Sequence, residues 1–126
     1  MPVQIANGDE LYQKQLETVC GSPAVLDVVQ LGLGDDGHTA SLVPDDPVCE
    51  VIDQDIAISN EYKGRKRITM TRPILERARE QIWLVAGDEK KESVKTLLSG
   101  SPTIPANLFD HSRATLMCDH AALPDR

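Results

Sequence analysis

Aromatic side chains are scarce. Trp83, Tyr12, Tyr62 and Phe109 are the only four in 126 residues, too few for a platform that stacks successive bases. Basic residues are outnumbered 20 to 13, which leaves a formal net charge of −7. That balance opposes binding along a phosphate backbone, so no nucleic-acid partner is expected. A small phosphorylated ligand stays open, because a local field can oppose the net charge. Cysteine is sparse and scattered at Cys20, Cys49 and Cys118. An odd, widely spaced set gives neither a disulfide framework nor a CxxC metal site, and reads as reduced thiols in a cytoplasmic protein. No apolar run approaches the roughly 20 residues that span a bilayer, so no membrane partner is expected. The opening MPVQIANGDE has neither the basic flank nor the apolar core of a signal peptide. Internal repeats and low-complexity stretches are also absent.

What is present suits a folded soluble domain: 40% apolar and 26% charged residues argue against wholesale disorder. The length gives one domain, 1–126, with room for a single core. After Gly8, the stretch ELYQKQLETVC predicts a helix, capped by Asp9 and stopped by Gly21-Ser22-Pro23. Ala24 to Leu33 is a nearly continuous apolar, β-branched run, the pattern of a strand buried on both faces in a parallel sheet. A Gly-rich turn follows, then a short helical segment from His38 to Leu42 and an acidic loop between Pro44 and Pro47. Strands are expected at Val51 to Ser59 and Arg67 to Thr71, with the polar, basic NEYKGRKR between them. Thr71 caps a helix with Pro73 in its first turn. Gln81 to Gly87 is the strongest strand, and Asp88 caps the helix EKKESVKTLL. A Pro-rich loop, a last strand in RATLMCDH and the tail AALPDR complete the chain. Strands alternating with helices predict a mostly parallel sheet covered by helices.

The informative stretch runs Gly32-Leu33-Gly34-Asp35-Asp36-Gly37-His38-Thr39-Ala40-Ser41-Leu42-Val43-Pro44. It lies at the carboxyl end of an early strand, where open α/β sheets bind ligands. Three readings fit it. Gly32, Gly34 and Gly37 satisfy the dinucleotide spacing G-x-G-x-x-G. Against that reading, Asp35 and Asp36 would face the pyrophosphate, and Pro44 cuts short the helix that should bind it. The second reading is a tight turn with a solvated acidic tip, in which His38 caps or fills space. The third is catalytic. Glycines let backbone approach a ligand, and the turn presents an imidazole that takes a proton near neutral pH. Asp36 would orient it or address the ligand. Ser41 lacks the G-x-S-x-G elbow of a nucleophile. His111 and His120 have no second ligand at metal spacing and read as surface residues, so no metal centre is expected.

The stretch LDVVQLGLGDDGHTASLVP closely resembles the signature of the 6-phosphogluconolactonases, G-x-G-x-D-G-H-x-A-S-L-F-P after an apolar strand. It matches at Gly32, Gly34, Asp36, Gly37, His38, Ala40, Ser41, Leu42 and Pro44, with Val43 in place of Phe. KGRKRITMT resembles the family's K-P-P-x-R-[IV]-T-[LF]-T at Lys63, Arg67, Ile68, Thr69 and Thr71. Gly87, Lys90 and Val94 fit its G-x-x-K-x-x-x-[VL] unit, and Asp119, Ala121 and Ala122 fit its terminal D-x-A-A. The resemblance implies a Rossmann-like, mostly parallel sheet flanked by helices. It implies hydrolysis of 6-phospho-D-glucono-1,5-lactone without cofactor or metal. His38 and Asp36 become the catalytic candidates, and Gly34, Gly37, Lys63 and Arg67 the substrate-binding ones. Backbone N–H groups of the glycine turn become candidate oxyanion donors.

The family's S-G-G-S-T-P type loop, which cradles the sugar phosphate, has no counterpart here. The resemblance is therefore to the C-terminal portion of a lactonase. It implies an exposed sheet edge or apolar face, and self-association or pairing with a missing N-terminal half. An incomplete, inactive fragment is the alternative reading. The sister glucosamine-6-phosphate deaminases place a Glu before the proline, where this chain has Val43, and that argues against the deaminase reaction.

Overall fold

A computed structural model describes residues 5–125. Residues 1–4 of the opening stretch and residue 126 of the tail lie outside the described residues. The chain runs α1 (Gly8–Cys20), β1 (Val28–Leu31), β2 (Ile56–Ile58), β3 (Ile68–Met70), α2 (Arg72–Arg77), β4 (Glu80–Val85), α3 (Lys91–Ser99) and β5 (Ala114–Cys118).

The main sheet has the order β1-β4-β5 and is wholly parallel. Leu31 is in register with Trp83, and Val85 with Cys118. The apolar, β-branched β4 takes the centre, as its composition suggests. β2 and β3 stand apart as an antiparallel pair, with Ile56 opposite Met70. The fold is therefore the expected α/β arrangement, with a separate hairpin in place of two further strands of the main sheet.

Burial follows the pleat. In β4, Gln81, Trp83 and Val85 point into the core, while Glu80 and Leu84 face outward. Trp83 packs with Val29, Leu31, Leu75, Val94, Leu97 and Phe109 in one apolar cluster. The outer face stays open: Val28, Leu84 and Met117 are each about half exposed. β1 is thus buried on one face and lies at a sheet edge, which corrects the expectation of a strand covered on both. Its apolar run reflects the pleat's inner residues plus Val28, which is half exposed among the described residues.

Several local expectations change. Asn7, at φ 61°, holds the N-cap of α1, and Asp9 lies inside the first turn, where a carboxylate meets the positive end of the helix. Thr71 stands at the N-cap of α2 but its hydroxyl donates to the Gln54 carbonyl at 2.5 Å. Asp88 opens a tight 3₁₀ turn, Asp88–Lys90, and makes no cap hydrogen bond to α3. The strand expected from Val51 shortens to Ile56–Ile58. His38 to Leu42 is a reversal and no helix. Thr39 and Leu42 exchange backbone hydrogen bonds at 3.3 and 2.9 Å, and Ala40 takes φ 51° to close it.

Because the three main strands are parallel, their carboxyl ends gather at one edge. The turn after β1, the Gly87 turn after β4 and Asp119 after β5 all lie there. Asp119 joins two of them: its carboxylate accepts from the Gly87 N–H at 3.2 Å and the Ala122 N–H at 2.9 Å.

Candidate active site

The turn after β1 is built from its glycines. The Gly34 N–H donates to the His38 carbonyl at 2.8 Å, and the Gly37 N–H donates to the Gly34 carbonyl at 3.0 Å. Both amides are thereby spent inside the turn. This corrects the expectation that they stand ready for an oxyanion. What the glycines supply is space. A Cβ on Gly34 would collide with the His38 ring and come within 2.6 Å of Asp36 Oδ1. A Cβ on Gly37, at φ 80°, would come within 2.5 Å of Ile104. At Gly34 only the close approach requires glycine, whereas Gly37 needs both the positive φ and the close approach.

That space is filled by a pair. Asp36 Oδ1 lies 2.5 Å from His38 Nδ1 and also accepts the His38 backbone N–H at 3.0 Å. A carboxylate can only accept, so the ring proton sits on Nδ1 and leaves Nε2 as the basic nitrogen. Both side chains remain partly open, at 25% for His38 and 34% for Asp36. Burial pushes the Asp36 carboxyl up, but the His38 amide, the His38 ring and the Tyr62 hydroxyl outweigh it and hold it below its ordinary value.

The basic loop joins the pair through a residue that sequence reasoning passed over. Tyr62 donates its hydroxyl to Asp36 Oδ2 at 3.1 Å. Its ring lies 5.9 Å from the His38 ring. Lys63 Nζ sits 5.2 Å from the same ring centre, and the Arg67 guanidinium 5.6 Å, within cation–π range. The local chain makes this possible. Tyr62 and Arg65 exchange backbone hydrogen bonds at 3.0 and 3.2 Å across Lys63 and Gly64, both left-handed at φ 51° and 76°. Such a turn matches the twist of its flanking strands. The signal for Tyr62 was its place as the one aromatic within a basic run.

At the hairpin's base, the Ser41 N–H donates to Thr69 Oγ1 at 3.0 Å, and the Asn60 N–H to Asp46 Oδ2 at 2.9 Å. Ser41 thus serves through its backbone. Val43 is buried, and its carbonyl accepts the Cys49 thiol at 3.2 Å. His111 is no surface residue. It packs 5.4 Å from the Trp83 ring and 5.1 Å from Phe109, with Nε2 2.7 Å from the Ala106 carbonyl. His120 is exposed. Among the described residues no group of three or more His, Cys, Asp or Glu side chains could hold a metal, and no helix is long and apolar enough to cross a membrane.

A family model described as glucosamine-6-phosphate isomerases/6-phosphogluconolactonase matches residues 2–118. The chain belongs to this family. A 6-phosphogluconolactonase of Synechocystis sp. is 39% identical over 101 residues, covering 75% of this chain and 42% of that protein. The human 6-phosphogluconolactonase is 36% identical over 109 residues, covering 83% and 42%. The solved 6-phosphogluconolactonase of Trypanosoma brucei superposes with a TM-score of 0.79 at 25% identity, covering 97% of this chain and 56% of that one. The chain therefore spans less than half the length of these two sequence relatives. In this glucosamine-6-phosphate isomerase/6-phosphogluconolactonase fold, the Asp36–His38 turn lies at the carboxyl edge of the sheet, with the basic hairpin beside it.

Proposed function

We propose that this chain carries the reactive part of a 6-phosphogluconolactonase, an ester hydrolase acting on 6-phospho-D-glucono-1,5-lactone in sugar-phosphate metabolism. The observation that carries the reading is the imidazole held at Nδ1 by Asp36, with Nε2 left basic and two cations one aromatic ring away. The named activity of the relatives supports it.

His38 Nε2 takes a proton from water as the water oxygen attacks the lactone carbonyl. The tetrahedral anion collapses, the bond from carbonyl carbon to ring oxygen breaks, and His38 returns the proton to that oxygen. Asp36 keeps the ring in the productive tautomer and stabilises its charged form. Positioned proton transfer of this kind contributes roughly 10²- to 10⁴-fold. Lys63 and Arg67 attract the phosphate, a role for which local cations suit an otherwise acidic chain. Gly34 leaves room for the Asp36–His38 pair, and Gly37 lets the turn approach Ile104. The deaminase reading has no support at Val43, whose apolar side chain is buried where a carboxylate would be needed. The free thiols agree with a cytoplasmic setting.

The test is hydrolysis of freshly generated lactone against its spontaneous rate, with His38→Asn alongside. Turnover should fall at least a hundredfold in a folded mutant. Near-normal turnover in that mutant would reject His38 as the base. A folded wild-type chain without activity would favour the incomplete-fragment reading. Ammonia released from glucosamine 6-phosphate would favour the deaminase.

A further inference from the structure

We propose that Tyr62 is the positioning residue of this site, locking the Asp36–His38 pair with its hydroxyl and carrying Lys63 and Arg67 on its ring. The inference rests on the lactonase reading above and assigns a residue that reading does not use.

The geometry leaves one carboxylate oxygen to be held. Asp36 Oδ1 already takes the His38 ring and the His38 amide. Both of those donors come from two residues away, on the same turn. They leave the carboxylate free to swing with that turn. Oδ2 accepts the Tyr62 hydroxyl at 3.1 Å, from a segment 26 residues downstream. The hydrogen bond is to a charged acceptor, the stronger class. It fixes Asp36 from outside the turn, which fixes the plane and tautomer of His38 in consequence. The titratable groups that bond the carboxylate are His38 on its own turn and Tyr62 from the hairpin, with Asp35 as its charged chain neighbour and Lys63 and Arg67 against the Tyr62 ring.

The same ring connects the base to the cations. Lys63 and Arg67 are on a hairpin whose base is tied to the turn by the Ser41 N–H to Thr69 bond. At the tip, the hydroxyl of Tyr62 makes the tie. Lys63 itself is exposed, and a lysine on a loop tip is otherwise free to sample many rotamers. Contact with the ring restrains it toward the side where His38 lies.

Two substitutions separate these parts. Tyr62→Phe keeps the ring and removes the hydroxyl. Tyr62→Leu removes both. In Tyr62→Phe, kcat should fall roughly three- to tenfold, the loss of one net hydrogen bond, with KM within about twofold. Tyr62→Leu should lose kcat similarly and raise KM several-fold. A readout without substrate accompanies them. The Asp36 carboxyl midpoint, followed by ¹³C NMR, should move up in Tyr62→Phe, because a donor to the ionised form has gone. A titration of inorganic phosphate should perturb the Lys63 and Arg67 signals less in Tyr62→Leu than in the wild type. Unchanged kcat and an unchanged Asp36 midpoint in Tyr62→Phe would overturn the proposal. Should the wild type prove inactive on the lactone, the lactonase reading fails, and the Asp36 midpoint and phosphate titration still decide Tyr62: shifts as stated support its positioning role, and their absence overturns it. If Tyr62→Leu does not fold, Tyr62→Phe alone is decisive.

Discussion

The two surfaces of this sheet are finished to different degrees. At the carboxyl edge, two sets of hydrogen bonds, Asp36 with His38 and Tyr62 and Ser41 with Thr69, join segments far apart in sequence. On the outer face, Val28, Leu84 and Met117 stand about half exposed, and α1 buries no residue of its own. The contrast teaches that local chemistry and burial are specified separately. A turn with a carboxylate–imidazole pair satisfies part of its polar groups itself and the rest through single donors and acceptors on the hairpin. An apolar face is satisfied only by what lies against it.

The comparison breaks most sharply at Gly34. Replacing it with Ala puts a methyl group where the His38 ring lies, so the pair must part. Lactone turnover should drop roughly a hundredfold, as expected when catalytic groups are misplaced by about 1 Å. Overpacking should also cost about 1–3 kcal/mol in urea denaturation. A folded Gly34→Ala with full turnover would show that the pair's contact is dispensable.

A smaller effect tests the layer just beneath the turn. Burial, with Asp46 and Glu50 nearby, pushes the Cys49 thiol up from 9.0 to about 11. Between these values the unfolded chain has released the proton that the folded chain keeps. The unfolded state then binds fewer protons, so stability falls as pH rises from about 9 to 11. The loss attributable to this thiol should approach 2 kcal/mol at most. Urea unfolding at the two pH values should show a steeper decline for the wild type than for Cys49→Ala. Equal declines would place the thiol outside this linkage.

The smallest effect is expected on the open face. Leu84→Gln should change stability by less than about 0.5 kcal/mol, the usual range for surface positions, and should lower binding of a hydrophobic dye. A loss of more than 2 kcal/mol in dilute solution would mean that Leu84 is covered, and the contrast between the two surfaces would fail.

Much of this was legible from residue order. The run ending in QIWLVAG marked the central strand because β-branched and aromatic residues fit a pleated, buried surface. The glycine spacing and His38 marked the turn through its chemistry. What escaped was set by pairing partners far along the chain. Nothing local distinguishes Val28 from Val29, yet one is exposed and the other buried, because only the arrangement of covering layers separates the two faces of a pleat. The cap expected at Thr71 was lost because Gln54, distant in sequence, claimed its hydroxyl. His111 looked like a surface residue until Trp83 and Phe109 were placed beside it. The role of Tyr62 is hidden for the same reason: its place in a basic run marks it as unusual, but its partner Asp36 lies 26 residues away.

The parallel pairing of β1 with β4 carries a consequence for how the molecule assembles. Leu31 meets Trp83 only after a loop of about fifty residues has closed, and such non-local contacts are the slow ones. The hairpin β2–β3 forms within that loop from near neighbours. The strand that leads into the Asp36–His38 turn therefore takes its partner from far along the chain, whereas the hairpin beside the turn takes its partner from close by. The geometry of the Asp36–His38 turn thus depends on one of the longest-range pairings in the sheet.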